Sequence, residues 1–198
     1  MQTLIIIVAA YLLGSVPFAM ISSRVFGLAD PRTYGSGNPG ATNVLRSGNK
    51  KAALFTLIGD ALKGWVAVFI AQQLEMSSGL IGLVALAVFF GHLFPVFLKF
   101  KGGKGVATAA GVLLALDPLL GFAVLATWLL VAFVSRYSSL AALIAAASAP
   151  LYSALMHGAD TQFAVVGLLG FALIIKHWQN LQRLMAGQES KIGSKKKA

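Results

Sequence analysis

Residues 99–118 read KFKGGKGVATAAGVLLALDP. Three lysines and three glycines meet a short apolar run that stops at Asp117-Pro118. Lysine is costly in hydrocarbon, so such a cluster at the end of an apolar segment marks a functional site at a membrane surface. The apolar run, at about 1.5 Å per residue, reaches roughly 20 Å as a helix. Extending it to residue 135 would place a proline in mid-helix, at about 3 kcal/mol. A break at Asp117-Pro118 makes two passages instead of one, and this choice sets the parity of the whole chain.

A membrane span needs about 20 apolar residues. Segments 3–23, 52–73, 79–98, 119–135, 139–156 and 162–177 meet that need, and 105–116 adds a short passage. The reading is an all-α polytopic membrane protein of about seven transmembrane helices. With that count, loops 24–51, 99–104 and 136–138 and the C-terminal tail share one side, and all carry Lys or Arg. Loops 74–78, 117–118 and 157–161 share the other side and carry none. Positive loops are cytoplasmic, which puts the N-terminus outside and the C-terminus in the cytoplasm. A five-pass chain would keep this sidedness, whereas a six-pass chain would export the last basic segment. The N-terminal apolar run lacks a basic leader and an A-x-A site, so it reads as a retained span.

Composition agrees. The chain has 198 residues, 58% hydrophobic and 11% charged, with net charge +10. Soluble domains carry roughly 25% charged residues. One membrane domain over 1–198 is expected, with a basic, flexible tail at 190–198. No soluble basic domain is present, so nucleic acid is not an expected partner. There is no cysteine, which excludes disulfides and acyl thioesters on the protein. No His/Asp/Glu group has metal-ligand spacing, and neither a metal nor a cofactor is expected.

Three polar segments stand out. In the first, YGSGNPGATNVLR at 34–46, glycines permit convergent backbone N–H groups. Thr42 or Asn43 is placed to cap a helix, and Arg46 offers a planar fork to a phosphate. A turn-rich connector has the same composition, and the spacing does not match a nucleotide P-loop. The second segment, Lys101 to Gly105, reads as a phosphate cradle with compact lysine charge, against a plain stop-transfer cluster. The third, KHWQNLQRLMAGQE at 176–189, sets His177, Asn180 and Arg183 at helical spacing, although an interfacial anchor would look similar. Asp60 and Lys63, three apart inside a span, are expected to pair, with orientation of the first segment as a further role. His92 is placed to orient the lysine loop or simply to pack, and His157 reads as a loop residue.

Taken together, these segments resemble the motifs of the bacterial membrane acyl-phosphate:glycerol-3-phosphate acyltransferases. GSGNPGATNVLR, GHLFPVFLKFKGGKGVAT and KHWQNLQRLMAGQE fall in the order and spacing of that family's three motifs, across the whole chain. The resemblance implies transfer of a fatty acyl group from acyl phosphate to the 1-hydroxyl of glycerol 3-phosphate. The products would be lysophosphatidate and inorganic phosphate, opening phospholipid synthesis. It implies a bacterial inner-membrane enzyme with a cytoplasmic active site, membrane lipid around it and a functional link to an enzyme producing acyl phosphate. By carry-over, Ser36, Arg46, Lys104, His177 and Asn180 bind glycerol phosphate and contact the reaction centre. The backbone around Gly37, Asn38, Gly40, Ala41 and Thr42 in one loop, and Gly102, Gly103 and Gly105 in the other, would hold the donor phosphate, with Asn43 a further substrate-binding residue; the sequence leaves open which loop holds which phosphate. The chain has no H-x-x-x-x-D stretch and no evident Ser-His-Asp arrangement, which points to direct attack without an acyl-enzyme. The alternative is a transporter of organic phosphates. Such proteins place substrate near the bilayer midplane, between repeats, whereas these basic residues gather at one face and no repeat is visible.

Overall fold

The computed structural model describes residues 1–193, and residues 194–198 of the expected tail lie outside it. The described residues form ten α-helices and one 3₁₀ turn. The helices are α1 (Gln2–Ser15), α2 (Phe18–Val25), α3 (Ala41–Leu45), α4 (Lys50–Gln73) and α5 (Ser78–Leu93). After the 3₁₀ turn Val96–Leu98 come α6 (Val106–Leu116), α7 (Pro118–Ser135), α8 (Ser138–His157), α9 (Thr161–Lys176) and α10 (Trp178–Met185).

Among the described residues, four helices are long and apolar enough to cross a membrane: α4, α5 with its 3₁₀ extension, α7 and α8. Two bent pairs, α1 with α2 and α9 with α10, supply two more. The eleven-residue α6 is a shorter apolar helix where the sequence suggests a short passage, outside these four to six spans. Large side chains such as Leu155, Phe133 and Leu130 stay exposed, as lipid-facing residues must.

Local chemistry sets the boundaries. At the α6–α7 break, the Asp117 carboxylate accepts from the Leu119 N–H at 2.7 Å and Pro118 occupies the first helical turn. An acidic cap followed by proline is a helix start that needs no N–H at its first position. Pro17 breaks the first span, and the two halves meet at 42°. The last span bends by 57° at His177, which turns the amphipathic α10 out of the bundle.

Close helix contacts rest on glycines. A Cβ on Gly111 would run into the Ala61 carbonyl of α4, and one on Gly14 into the Val88 carbonyl of α5. Small residues let membrane helices approach backbone to backbone.

Hydrogen bonds show which loops share an end. Thr42 reaches Ser138 at 3.2 Å, Lys104 reaches Asn180, and the Ile192 N–H donates to the Arg136 carbonyl at 2.7 Å. All three polar segments therefore gather at one end of the bundle. At the other end, Gln72 donates to the Ala115 carbonyl at 2.8 Å and His157 meets Asp117 at 2.5 Å. The expected alternation of basic and non-basic ends is thus present in the packing. Because α1 and α2 run the same way into the first polar segment, the N-terminus lies at the end opposite α10.

Candidate active site

The first polar loop is built around Asn43. Its buried amide oxygen accepts from the Ser36 N–H at 2.9 Å, and its nitrogen donates to the Pro31 carbonyl at 2.6 Å and the Tyr34 carbonyl at 3.2 Å. Asn43 holds the loop from inside, while the Ser36 side chain stays exposed. Neither Thr42 nor Asn43 caps α3; extended Gly40 stands at that position. Gly35 and Gly37 have φ of 60° and 67°, in the left-handed region that side chains disfavour. The Gly37 and Gly40 N–H groups bond to the Tyr34 and Asn38 carbonyls. Among the described residues, no backbone carbonyl outside the helices accepts from the amides of Asn38, Ala41 and Thr42.

The second loop differs from a simple nest. The Gly102 N–H donates to the Leu93 carbonyl at 3.3 Å and the Gly103 N–H to the His92 carbonyl at 3.2 Å. Those two amides are already bonded, so their glycines serve close approach: a Cβ at either position would collide with His92. Of the three glycines here, only Gly105, with φ of 88°, uses positive φ. The amides open to a ligand shift to Lys104, Gly105 and Val106, at the N-terminus of α6, where the helix dipole favours an anion.

Lys104 joins the loops. Its ammonium donates to the Asn180 oxygen, and the Asn180 nitrogen donates to Glu189 Oε1 at 2.6 Å. Lysine only donates and a carboxylate only accepts, which settles the orientation of the Asn180 amide. Ser139 donates to the same Glu189 oxygen at 2.8 Å, and Arg183 Nε to the other at 2.7 Å. Burial alone would raise the Glu189 pKa, but bonds from Arg183, Asn180 and Ser139 hold it below the usual carboxylate range. Burial, then the nearby positive charge of Arg183, pushes Lys104 down to about 8, with Arg46 and Lys176 acting in the same direction. Three cations and one carboxylate thus act on Lys104. This surplus of positive charge in a half-buried place is the electrostatic form of an anion site.

His177 sits beside this cluster, buried at the α9–α10 bend, with Nδ1 2.9 Å from the Leu173 carbonyl. A carbonyl cannot donate, so Nδ1 carries the proton and Nε2 of the neutral ring presents a free lone pair.

The structure therefore brings Arg46, Lys104, His177 and Asn180 to one end, with Thr42 tied to α8. Sequence reading passed over Glu189 and Ser139 as site residues. Glu189 lies beyond α10 and Ser139 on α8, so no periodicity links either to Asn180. A lone acid in a basic segment was the one available signal. Asp60 and Lys63 form the expected pair at 2.8 Å.

Comparison with known proteins identifies the family. The family model for glycerol-3-phosphate acyltransferase matches residues 4–187. A curated glycerol-3-phosphate acyltransferase of Dechloromonas aromatica is 78% identical over the full length of both chains. Its counterpart in Cupriavidus pinatubonensis is 60% identical, again over both full lengths. A crystal structure of PlsY (YgiH), an integral membrane glycerol 3-phosphate acyltransferase in its glycerol 3-phosphate form, superposes with TM-score 0.92 at 36% identity. That match covers 98% of this chain and 96% of the other. The lysophosphatidic acid form superposes with TM-score 0.90 over the same shares of both chains. With family model, full-length relatives and fold in agreement across the chain, this membrane protein belongs to the glycerol-3-phosphate acyltransferase family.

Proposed function

We propose that the protein transfers a fatty acyl group from acyl phosphate to the 1-hydroxyl of glycerol 3-phosphate, releasing lysophosphatidate and inorganic phosphate. The observation that carries this reading is the gathering of three further cations, Arg183, Arg46 and Lys176, about Lys104, with Glu189 the one carboxylate acting on it. Two phosphorylated substrates supply the missing negative charge, and the lipid-exposed helices offer the acyl chain an apolar surface.

In this mechanism Lys104 and Arg46 grip the glycerol phosphate, and Ser36 and Asn180 help direct its hydroxyl. The amides at Asn38, Ala41 and Thr42, and those at Lys104 and Gly105, receive the donor phosphate in this scheme. The hydroxyl oxygen attacks the acyl carbonyl carbon as the carbon–oxygen bond to phosphate breaks, and the electron pair leaves with phosphate. The proton passes to that phosphate or to Nε2 of His177. Alignment and neutralised charge supply the rate enhancement, because the donor is already activated. No acyl-enzyme is needed.

The basic end is assigned to the cytoplasm of a bacterial inner membrane by its charge, where an acyl-phosphate-forming enzyme delivers the donor. The test is to incubate purified protein with acyl phosphate and glycerol 3-phosphate and assay lysophosphatidate. Acyl-CoA and acyl carrier protein thioesters of the same chain length are expected to give none. Comparable turnover with acyl-CoA would overturn the donor assignment and leave the acyltransferase reading in place.

A further inference from the structure

Beneath the two polar loops lies a small cleft of about 10 Å³. Pro39 of the first loop and Gly102 and Gly103 of the second line it, and Asp60, Lys63 and His92 form its polar floor. All three floor residues are buried, at 3%, 3% and 8% exposure. Lys63 Nζ lies 2.8 Å from Asp60 Oδ1 and donates to the Val16 carbonyl at 2.8 Å. Val16 is at the break between α1 and α2, just before Pro17. His92 Nδ1 lies 3.4 Å from the same Asp60 oxygen. The His92 ring and carbonyl are the surfaces that exclude a Cβ from Gly103 and Gly102.

A buried ion pair is weak evidence for stability, since apolar replacements of similar volume often serve as well. What this one does is tie together three pieces of chain. Lys63 fixes the α1–α2 break that leads to the first loop. His92 seats the glycine turn that delivers Lys104. Asp60 holds both partners.

We propose that Asp60, Lys63 and His92 are positioning residues that hold the first loop and the Gly102–Gly103 turn in mutual register, so that Lys104 meets Asn180. The proposal rests on the acyltransferase reading for its kinetic consequence but not for its structural one. None of the three touches the reacting atoms in this scheme.

Two disruptive variants and one rescue variant test it. His92→Phe keeps a ring and leaves the ion pair intact. The double variant Asp60→Leu with Lys63→Met removes both charges together, so that neither is left buried alone. Each is expected to lower kcat/KM for glycerol 3-phosphate roughly tenfold to a hundredfold, the usual scale for misplacement by about an ångström, mainly through KM. His92→Gln, which retains a polar end towards the turn, is expected to recover part of the loss. The second readout needs no turnover. The rate of reductive methylation of Lys104 is followed by mass spectrometry against pH. In the wild type its midpoint is expected near 8; in both variants a loosened turn should move it upward, toward ordinary lysine. If the midpoint stays in place and kcat/KM remains within about twofold of wild type, the positioning role is wrong. If the wild type forms no lysophosphatidate while the midpoint still moves, the acyltransferase reading fails and the positioning role stands.

Discussion

At the scale of single residues, Lys104 is the group on which most of the site's electrostatics converge. Its ammonium bonds to Asn180 while feeling the positive charges of Arg183, Arg46 and Lys176. Lys104→Ala and Arg46→Ala should each remove a charge-assisted contact worth about 1.5–3 kcal/mol. The measured outcome is a fall in kcat/KM of roughly tenfold to over a hundredfold, with folding checked by thermal melting in detergent. Arg46→Lys should not restore full activity, because a point charge does not reproduce a planar fork. A pH profile gives an independent reading. Lys104 is charged below about 8 and loses its proton above that value. Glycerol 3-phosphate kcat/KM should therefore decline as pH rises through the low alkaline range. Lys104→Arg, charged throughout, should lack that decline even if its maximum is lower. An unchanged alkaline limb in Lys104→Arg would assign it to another group. These residues were legible early because lysine and glycine in an apolar context are chemically out of place. Glu189 was not, because its importance arises only when Ser139, Asn180 and Arg183 converge on it.

At the scale of helices, backbone proximity is the organising device. Gly111 packs against the Ala61 carbonyl, whereas nothing lies within 4 Å of a Cβ built on Gly167. Both are helical glycines. Gly111→Ala is expected to lower stability by about 1–3 kcal/mol through overpacking, seen as a drop in thermal midpoint in detergent. Gly167→Ala should leave the midpoint unchanged or raise it slightly, since alanine favours helix. Equal midpoints for the two variants would show that the α4–α6 contact yields easily. Helix boundaries were readable where a residue acts locally: Asp117-Pro118 starts α7, and Asp160 starts α9 by accepting from the Phe163 N–H at 2.8 Å. The glycines of the second loop were not readable in the same way. Gly102 and Gly103 look like flexible turn residues in sequence, yet it is the facing His92 that demands them.

For the whole molecule, sidedness is the testable consequence. Single cysteines are informative because the chain has none of its own. Cysteines at Ser77 and Gly158 should react with an impermeant thiol reagent in intact cells. Those at Ser47 and Gly187 should react only after lysis. Labelling of Gly187→Cys from outside would overturn the assignment of the basic end to the cytoplasm. The membrane class, the approximate passages and the clustering of basic loops at one end follow from composition and order along the chain. Each depends on solvation of local segments, and burying a polar group in lipid costs the same whatever its distant neighbours are. The register between the three loops depends instead on contacts between residues far apart in sequence. Lys104 meets Asn180 across 76 positions, and Lys63 reaches the Val16 carbonyl across 47. Such contacts form only after helices have packed at distances set by their glycines, so no local pattern in the chain encodes them.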